Sequence, residues 1–261
     1  MSTTQRDENL TRAQREQKAY DEDGVWIRSH EWHTRFKHVF ESPNTTRYDR
    51  LFFEIIRQQA HNKRVLEIGC ADGTVAQEIY KFNPAYLRGI DISQESIRAA
   101  KQKEIPNRME FFHGDVGEGI ESKFDLIFGR SILHHLEYRS VLKSLYLNSL
   151  NDGGEMVFME PFGSNPLIKL YSIFSNAHTP DEKSFVREDI NWLRRNFNTV
   201  DIYPINLFTL PLGMLSTYIF PSADNVMLRL ADKIDAWVGE KSKASAPMFR
   251  HSLIVIKKTP V

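Results

Sequence analysis

The segment Arg64-Val65-Leu66-Glu67-Ile68-Gly69-Cys70-Ala71-Asp72-Gly73-Thr74 constrains the fold most: an apolar run carrying one acid enters a turn of small residues. Residues 64–67 read as a buried parallel strand, being short, apolar and followed by turn residues. Residues 72–81 read as the helix that this strand feeds. A strand, a small-residue turn and a helix in that order suit a nucleotide-like ligand. It would lie over the strand's carboxyl end and against the helix amides. Gly69 and Gly73 are expected to leave room for such a ligand to touch backbone.

Further apolar runs follow at regular intervals. Residues 87–93 read as a second strand ending at Asp91, 22 positions after Gly69, with Ser93 placed to cap the next helix. A carboxylate at that strand end can accept both hydrogens of a ribose diol. Residues 109–116 read as a third strand closing on Asp115. Residues 124–130 read as a fourth, leading into Ser131 and Leu133-His134-His135-Leu136. Asn151-Asp152-Gly153-Gly154 is a turn by composition, and residues 155–160 then form a fifth strand ending at Glu160. A helix is expected near 167–174 and another near 187–195. A sixth strand is expected near 200–203 and a last one over 252–257.

Two cofactor classes compete for the first turn. A dinucleotide fingerprint asks for glycine at its first, third and sixth positions. Those positions hold Gly69, Ala71 and Thr74, and an acid such as Glu67 inside the strand is foreign to that fingerprint. The pattern instead resembles the class I S-adenosylmethionine-dependent methyltransferases, whose first motif is an apolar pair, an acid, one residue, then Gly-x-Gly-x-Gly. Ala71 in place of the middle glycine is the one departure. The resemblance runs over residues 60–162 and rests on four motifs in order.

That resemblance implies an α/β fold: a doubly wound, Rossmann-like seven-stranded sheet with its last strand antiparallel, plus a helical cap. It implies S-adenosyl-L-methionine as the cofactor, held by Glu67, the turn residues Gly69, Cys70, Ala71 and Gly73, then Asp91 and Ile92. Glu67 would orient the methionine amino group and Asp91 the ribose. Asp115 would meet the adenine amino group, with Val116 against the base. The backbone around Arg130 and Ser131 would lie at the methionine end, where Arg130 can pair with the carboxylate. Cys70 reads as a small buried filler, since no base stands beside it.

The reaction follows from such a cofactor. Its sulfonium methyl is electrophilic, so the protein mainly aligns a nucleophile in line with the sulfur–methyl bond and excludes water. A base is needed only where the bound acceptor carries a proton, as a phenol or alcohol does. The candidates are His135, His134, His178 and Glu160. Neighbouring residues project in different directions, so His134 and His135 are not expected to share the acceptor, and the resemblance favours His135. Each has a structural alternative: a hydrogen-bonded histidine behind the cofactor loop, an exposed loop residue at 178, and an anchor for the Pro161 loop at 160. No metal site is expected, because His30, His33 and His38 lack a carboxylate that completes a set.

Composition narrows the partners. Lysine plus arginine and aspartate plus glutamate each total 34, so no basic surface for nucleic acid is expected. One cysteine excludes an internal disulfide and suits a reducing compartment, and the polar first 18 residues show no apolar leader, so the cytoplasm is the expected location. The chain divides into a polar arm over 1–20, an aromatic-rich helical cap over 21–62 and a core over 63–261. Substrate-side insertions are expected near 161–185 and 205–250. The uncharged run over 205–220 is too short to span a membrane and is interrupted by Pro211; it reads as a core helix or pocket wall ahead of a surface-seeking patch. The expected activity is O-methylation of a small molecule, a specialised metabolite or a lipid-like acceptor. The alternatives are an N- or C-methyltransferase, a methyltransferase of a peptide carboxyl terminus, a nicotinamide-dependent oxidoreductase, and a non-catalytic cofactor-binding protein. The sequence leaves the oligomeric state open.

Overall fold

Uncharged runs of β-branched, leucine and aromatic residues form the centre of a computed structural model that describes residues 10–22, 31, 33–166, 181–241 and 243–260. A first helix, α1, spans Arg12–Asp21, opened by a Thr11/Gln14 capping box. A single helical turn, α2 (Lys37–Phe40), precedes the long helix α3 (Pro43–Ala60). Ser42 caps α3 by accepting from the Thr45 N–H, and Pro43 stands at its first position, where no N–H is needed. Phe52, Ile56 and Ala60 recur every fourth residue, so one stripe of α3 is buried.

Strands and helices then alternate: β1 (Arg64–Ile68), α4 (Thr74–Tyr80), β2 (Tyr86–Asp91), α5 (Gln94–Ala100), β3 (Met109–His113), β4 (Phe124–Arg130), α6 (Tyr138–Ser144) and β5 (Leu150–Pro161). Helix α7 (Arg187–Asn196), β6 (Thr199–Ile205), α8 (Thr209–Ile219), α9 (Val226–Lys241) and β7 (His251–Lys257) complete the order. The sheet runs β3-β2-β1-β4-β5-β7-β6, and β7 alone is antiparallel to its neighbours. Successive residues face opposite layers: Leu66, Ile68 and Ile127 join the core under α6 and α7, while Val65, Leu126 and Phe128 pack with Phe52 and Ile56 of α3. The chain passes from the β1-β2-β3 half to the β4-β5 half between β1 and β4. The carboxyl ends of those strands therefore border a cleft.

Three expectations change. The helix after the first turn starts at Thr74, because Gly73 stands in the left-handed region at φ +77° and caps it. The Asn151–Gly154 turn lies inside β5: pairing with β4 jumps from Phe124 opposite Leu150 to Leu126 opposite Glu155. The residues between are held by the chain's end, Gly153 N–H to Lys258 O at 3.0 Å and Lys258 N–H to Gly154 O at 2.9 Å. The uncharged run over 205–220 is neither wholly core nor interrupted at Pro211. Proline in the first turn of α8 loses no helical hydrogen bond. Leu210 packs with Phe36 and Val39, whereas Leu215, Tyr218 and Ile219 are exposed. At Gly213 a Cβ would stand 3.0 Å from the Val39 Cα, so glycine permits α8 to cross α2 closely. The helix expected near 167–174 lies outside the described residues.

Candidate functional site

A cavity of about 390 Å³, of a size that takes a small molecule, opens over the carboxyl ends of β1, β2 and β4. Gly69, Ala71, Asp91, Ile92, Asp115, Val116, Arg130, Ser131 and His135 all line it, so most residues singled out in the sequence come together. Cys70 and Gly73 do not. Cys70 is buried, and burial pushes its thiol far up, consistent with an inert filler. At Gly73 a Cβ would stand 2.7 Å from the Phe111 ring, and at Gly69 one would stand 2.7 Å from Ile132. The missing side chains therefore make room for packing rather than for a ligand. The turn needs Gly69 and Gly73 for their positive φ as well, and Ala71 joins them at φ +45°.

The turn is tied to β2 through Asp91. Its carboxylate accepts from the Ala71 N–H and the Ser93 N–H, each at 2.8 Å, while Ser93 caps α5 by accepting from Ser96 N–H. Burial raises the Asp91 pKa and the two amides oppose the rise. Asp115 accepts from the Gly117 N–H at 2.7 Å and keeps Val116 at the cavity wall. Arg130 already has an ion-pair partner: its guanidinium donates to Asp49 of α3 at 2.7 Å and lies over the Phe52 ring. Glu67 is buried beneath the turn, with Oε2 lacking any hydrogen-bond partner. Burial holds its carboxyl well above the usual range, Asp91 adds to the shift, and Arg130 opposes it.

The four base candidates separate clearly. Glu160 is fully buried and spent on structure: Oε1 accepts from the Ile132 and Leu133 N–H groups at 2.9 Å each, and Oε2 lies 2.8 Å from His134 Nδ1. It anchors the turn after β4 and leaves no oxygen for an acceptor. His134 is that turn's buried partner and does not line the cavity. His178 lies outside the described residues. His135 faces the cavity, with Nδ1 3.0 Å from Glu16 and Nε2 2.9 Å from the Tyr20 hydroxyl. The Glu16 carboxylate can only accept, so the imidazole proton sits on Nδ1 and Nε2 accepts the Tyr20 O–H.

Glu16 and Tyr20 are absent from the sequence reading, which saw only a polar arm over 1–20. Their helix crosses the cavity mouth and carries Arg12, Glu16 and Tyr20 into its wall. It is fastened at several points. Arg12 pairs with Glu137 at 2.8 Å and donates to the Asp181 carbonyl, Arg15 pairs with Asp181, and Ser93 Oγ donates to Asp21. The usable signal was the capping box at Thr11 and Gln14 followed by Glu16, Ala19 and Tyr20, whose i, i+3, i+4 spacing puts them on one side of the helix. Burial, with the nearby carboxylates of Glu182, Glu16, Asp91 and Glu160, pushes the Tyr20 phenol far up and keeps it protonated.

Of the three histidines weighed for a metal, His30 lies outside the described residues. His33 stacks on Phe40 and His38 bonds to Ser216. Ligand atoms of His134, His135 and Glu182 do lie within 4.8 Å of one another, a juxtaposition not legible from spacing. The Nε2 of His135 is taken there by Tyr20. Among the described residues no helix is long and apolar enough to cross a membrane.

Comparisons with known proteins agree with this geometry. Residues 66–156 match the model of a family described as a methyltransferase domain. Over 116 residues the chain is 32% identical to a malonyl-[acyl-carrier protein] O-methyltransferase of Priestia megaterium, covering 43% of this chain and 42% of that protein. Over 138 residues it is 25% identical to a ubiquinone biosynthesis O-methyltransferase of Neisseria meningitidis, covering 48% and 58%. The chain thus spans about half the length of these curated relatives. Phosphoethanolamine N-methyltransferase 2 of Haemonchus contortus, solved with phosphomonomethylethanolamine and S-adenosylhomocysteine, shares the fold. Its TM-score is 0.61 at 15% identity, over 97% of this chain and 61% of that one.

Proposed function

Taking residues 66–156 as a class I methyltransferase domain, we propose that the chain is an S-adenosylmethionine-dependent methyltransferase acting on an oxygen of a small-molecule acceptor. The residues present suit the cofactor. Glu67 Oε2 is a buried acceptor without a partner, which an ammonium group would satisfy. The Asp91 carboxylate keeps lone pairs free beyond the two amides it serves, and Asp115 and Val116 stand at the far wall for a base. Arg130, bonded to Asp49, shapes the wall rather than being reserved for a ligand carboxylate. When bound, the cofactor supplies an electrophilic sulfonium methyl group.

The observation that carries the choice of oxygen is the chain Glu16–His135–Tyr20 at the cavity wall. A hydroxyl acceptor must lose its proton as it takes a methyl group. Tyr20 accepts that proton while passing its own to His135 Nε2, and Glu16 stabilises the imidazolium that forms. The high pKa of the phenol suits this transit role: Tyr20 holds no charge at rest and does not itself become the nucleophile. The curated relatives, both named O-methyltransferases, support the same reading. The balanced charge supports a small-molecule partner, and the lone, buried Cys70 supports work in the cytoplasm.

Calorimetric titration with S-adenosylhomocysteine, beside one with a nicotinamide dinucleotide, tests the cofactor. Tight binding of the first alone is expected, and binding of the dinucleotide alone would overturn the reading. Turnover is followed by the methyl mass shift on a panel of phenols and hydroxy acids. Tyr20→Phe and His135→Ala are expected to lower kcat by about 100-fold while S-adenosylhomocysteine binds as before. Unchanged turnover in both variants would remove the relay.

A further inference from the structure

One arginine at the carboxyl end of the sheet has no counter-ion among the described residues. Because β7 runs antiparallel to β5, with His251 opposite Pro161, Arg250 and His251 stand at the sheet end that also presents Arg130 and Glu160. The Arg250 Nε donates to Asn206 Oδ1 at 3.1 Å, and the guanidinium lies 5.0 Å from the centroid of Phe40, on which His33 stacks. No carboxylate pairs with Arg250 among the described residues. The acid that acts on it through space, Asp49, is bonded to Arg130. Both terminal nitrogens of Arg250 make no hydrogen bond among the described residues.

His251 deepens the asymmetry. Its Nδ1 is buried without a partner. The groups acting on it are Arg250, His134, Arg130 and His33, and each opposes a positive charge there. Burial pushes the His251 pKa well down and brings that of Arg250 to about 10. A half-buried guanidinium with no paired carboxylate gains from a bound anion that accepts both terminal N–H groups. With Nε fixed by Asn206 and the plane fixed by Phe40, the free edge of the guanidinium is a preorganised two-pronged donor. A planar carboxylate or the face of a phosphate matches it.

We propose that Arg250, helped by the orphaned His251 Nδ1, seats an anionic group of the methyl acceptor, so that the substrate is a hydroxylated organic anion. This rests on the methyltransferase reading and names the substrate class for it. The anionic group is the handle, and the hydroxyl that meets Tyr20 is the acceptor.

The test uses the full chain saturated with S-adenosylhomocysteine and measures binding by calorimetry and thermal shift. The probes are benzoate, octanoate and phenyl phosphate, set against benzamide, octanamide and phenol. At least one anion is expected to bind tenfold or more tightly than its neutral counterpart, and the carboxylate and phosphate arms identify the handle. Arg250→Gln is expected to abolish that preference and Arg250→Lys to keep part of it, with S-adenosylhomocysteine affinity unchanged in both. Should Arg250→Gln fail to fold by circular dichroism, His251→Phe is the second variant, expected to weaken the anion several-fold. Equal binding of acid and amide, binding of no probe, or an undiminished preference in Arg250→Gln would each overturn the proposal. Failure of S-adenosylhomocysteine to bind at the outset would instead strike the underlying cofactor reading.

Discussion

Burying a carboxylate with one oxygen unpaired disfavours its charged form, and Glu67 is held well above the usual carboxylate range first for that reason and second by Asp91. Between the unfolded and the raised folded value, the native protein binds the extra proton. The stability linked to Glu67 is therefore fully present below the ordinary carboxylate pKa and is lost as pH rises through the folded one. Glu67→Gln is expected to raise the melting temperature of the ligand-free protein at neutral pH and to flatten that slope, while weakening S-adenosylhomocysteine. A lower melting temperature in thermal scans would contradict this. Burial raises Asp91 in the same direction, but there two amide partners oppose the rise and hold the carboxylate in place. Asp91→Ala is expected to lose about 2 kcal/mol or more of cofactor affinity, because charge-assisted hydrogen bonds go with it. Unchanged affinity in calorimetry would sink the ribose assignment.

At the level of elements, α8 begins where a carboxylate from another helix waits for it. Asp235 of α9 is buried and accepts from the N–H groups of Leu207, Phe208 and Thr209 and from the Thr209 hydroxyl. It serves the positive end of α8 from across the interface, work usually done by a residue next in sequence. Asp235→Ala is expected to cost about 3 kcal/mol, read as a lower midpoint in urea, because three amides, that of Thr209 fully buried, and the Thr209 hydroxyl lose their acceptor. A midpoint within error of the parent would show that water replaces the carboxylate. Such long-range capping marks the boundary of what the sequence discloses. Strands β1 to β4 were legible because a buried parallel strand needs an unbroken apolar run, and the acids at their ends stand out against it. Asp91 and Asp115 were found that way, and His135 was favoured by the resemblance. Glu16, Tyr20 and Arg250 were not, since each acquires its meaning from a partner or a cleft more than 40 positions away.

Across the whole molecule, the cleft is roofed by a helix that owes its position to loops. α1 touches the turn after β4 through His135, the start of α5 through Ser93, and the loop before α7 through Asp181. Filling the cavity beneath it should therefore be felt at both ends of these ties. Hydrogen exchange in residues 12–21 is expected to slow when S-adenosylhomocysteine is added, together with residues 69–73. Replacing Arg12 and Arg15 by alanine is expected to remove the first effect and leave the second. Slowing confined to residues 69–73 in the parent protein would show that the roof does not respond.

The placement of β7 has a consequence for how the chain is made. β6 leaves the ribosome before β7, yet its partner in the sheet is β7, which separates it from β5. Until residue 257 is synthesised, β5 is an open apolar edge and β6 has no neighbour to pair with, a state prone to capture by other chains. The strand that ends this exposure is also the one that sets His251, and Arg250 before it, beside the carboxyl end of β5. A nascent chain halted before β7 would lack at once the strand that shields β5 and the only neighbour that β6 has among the described strands.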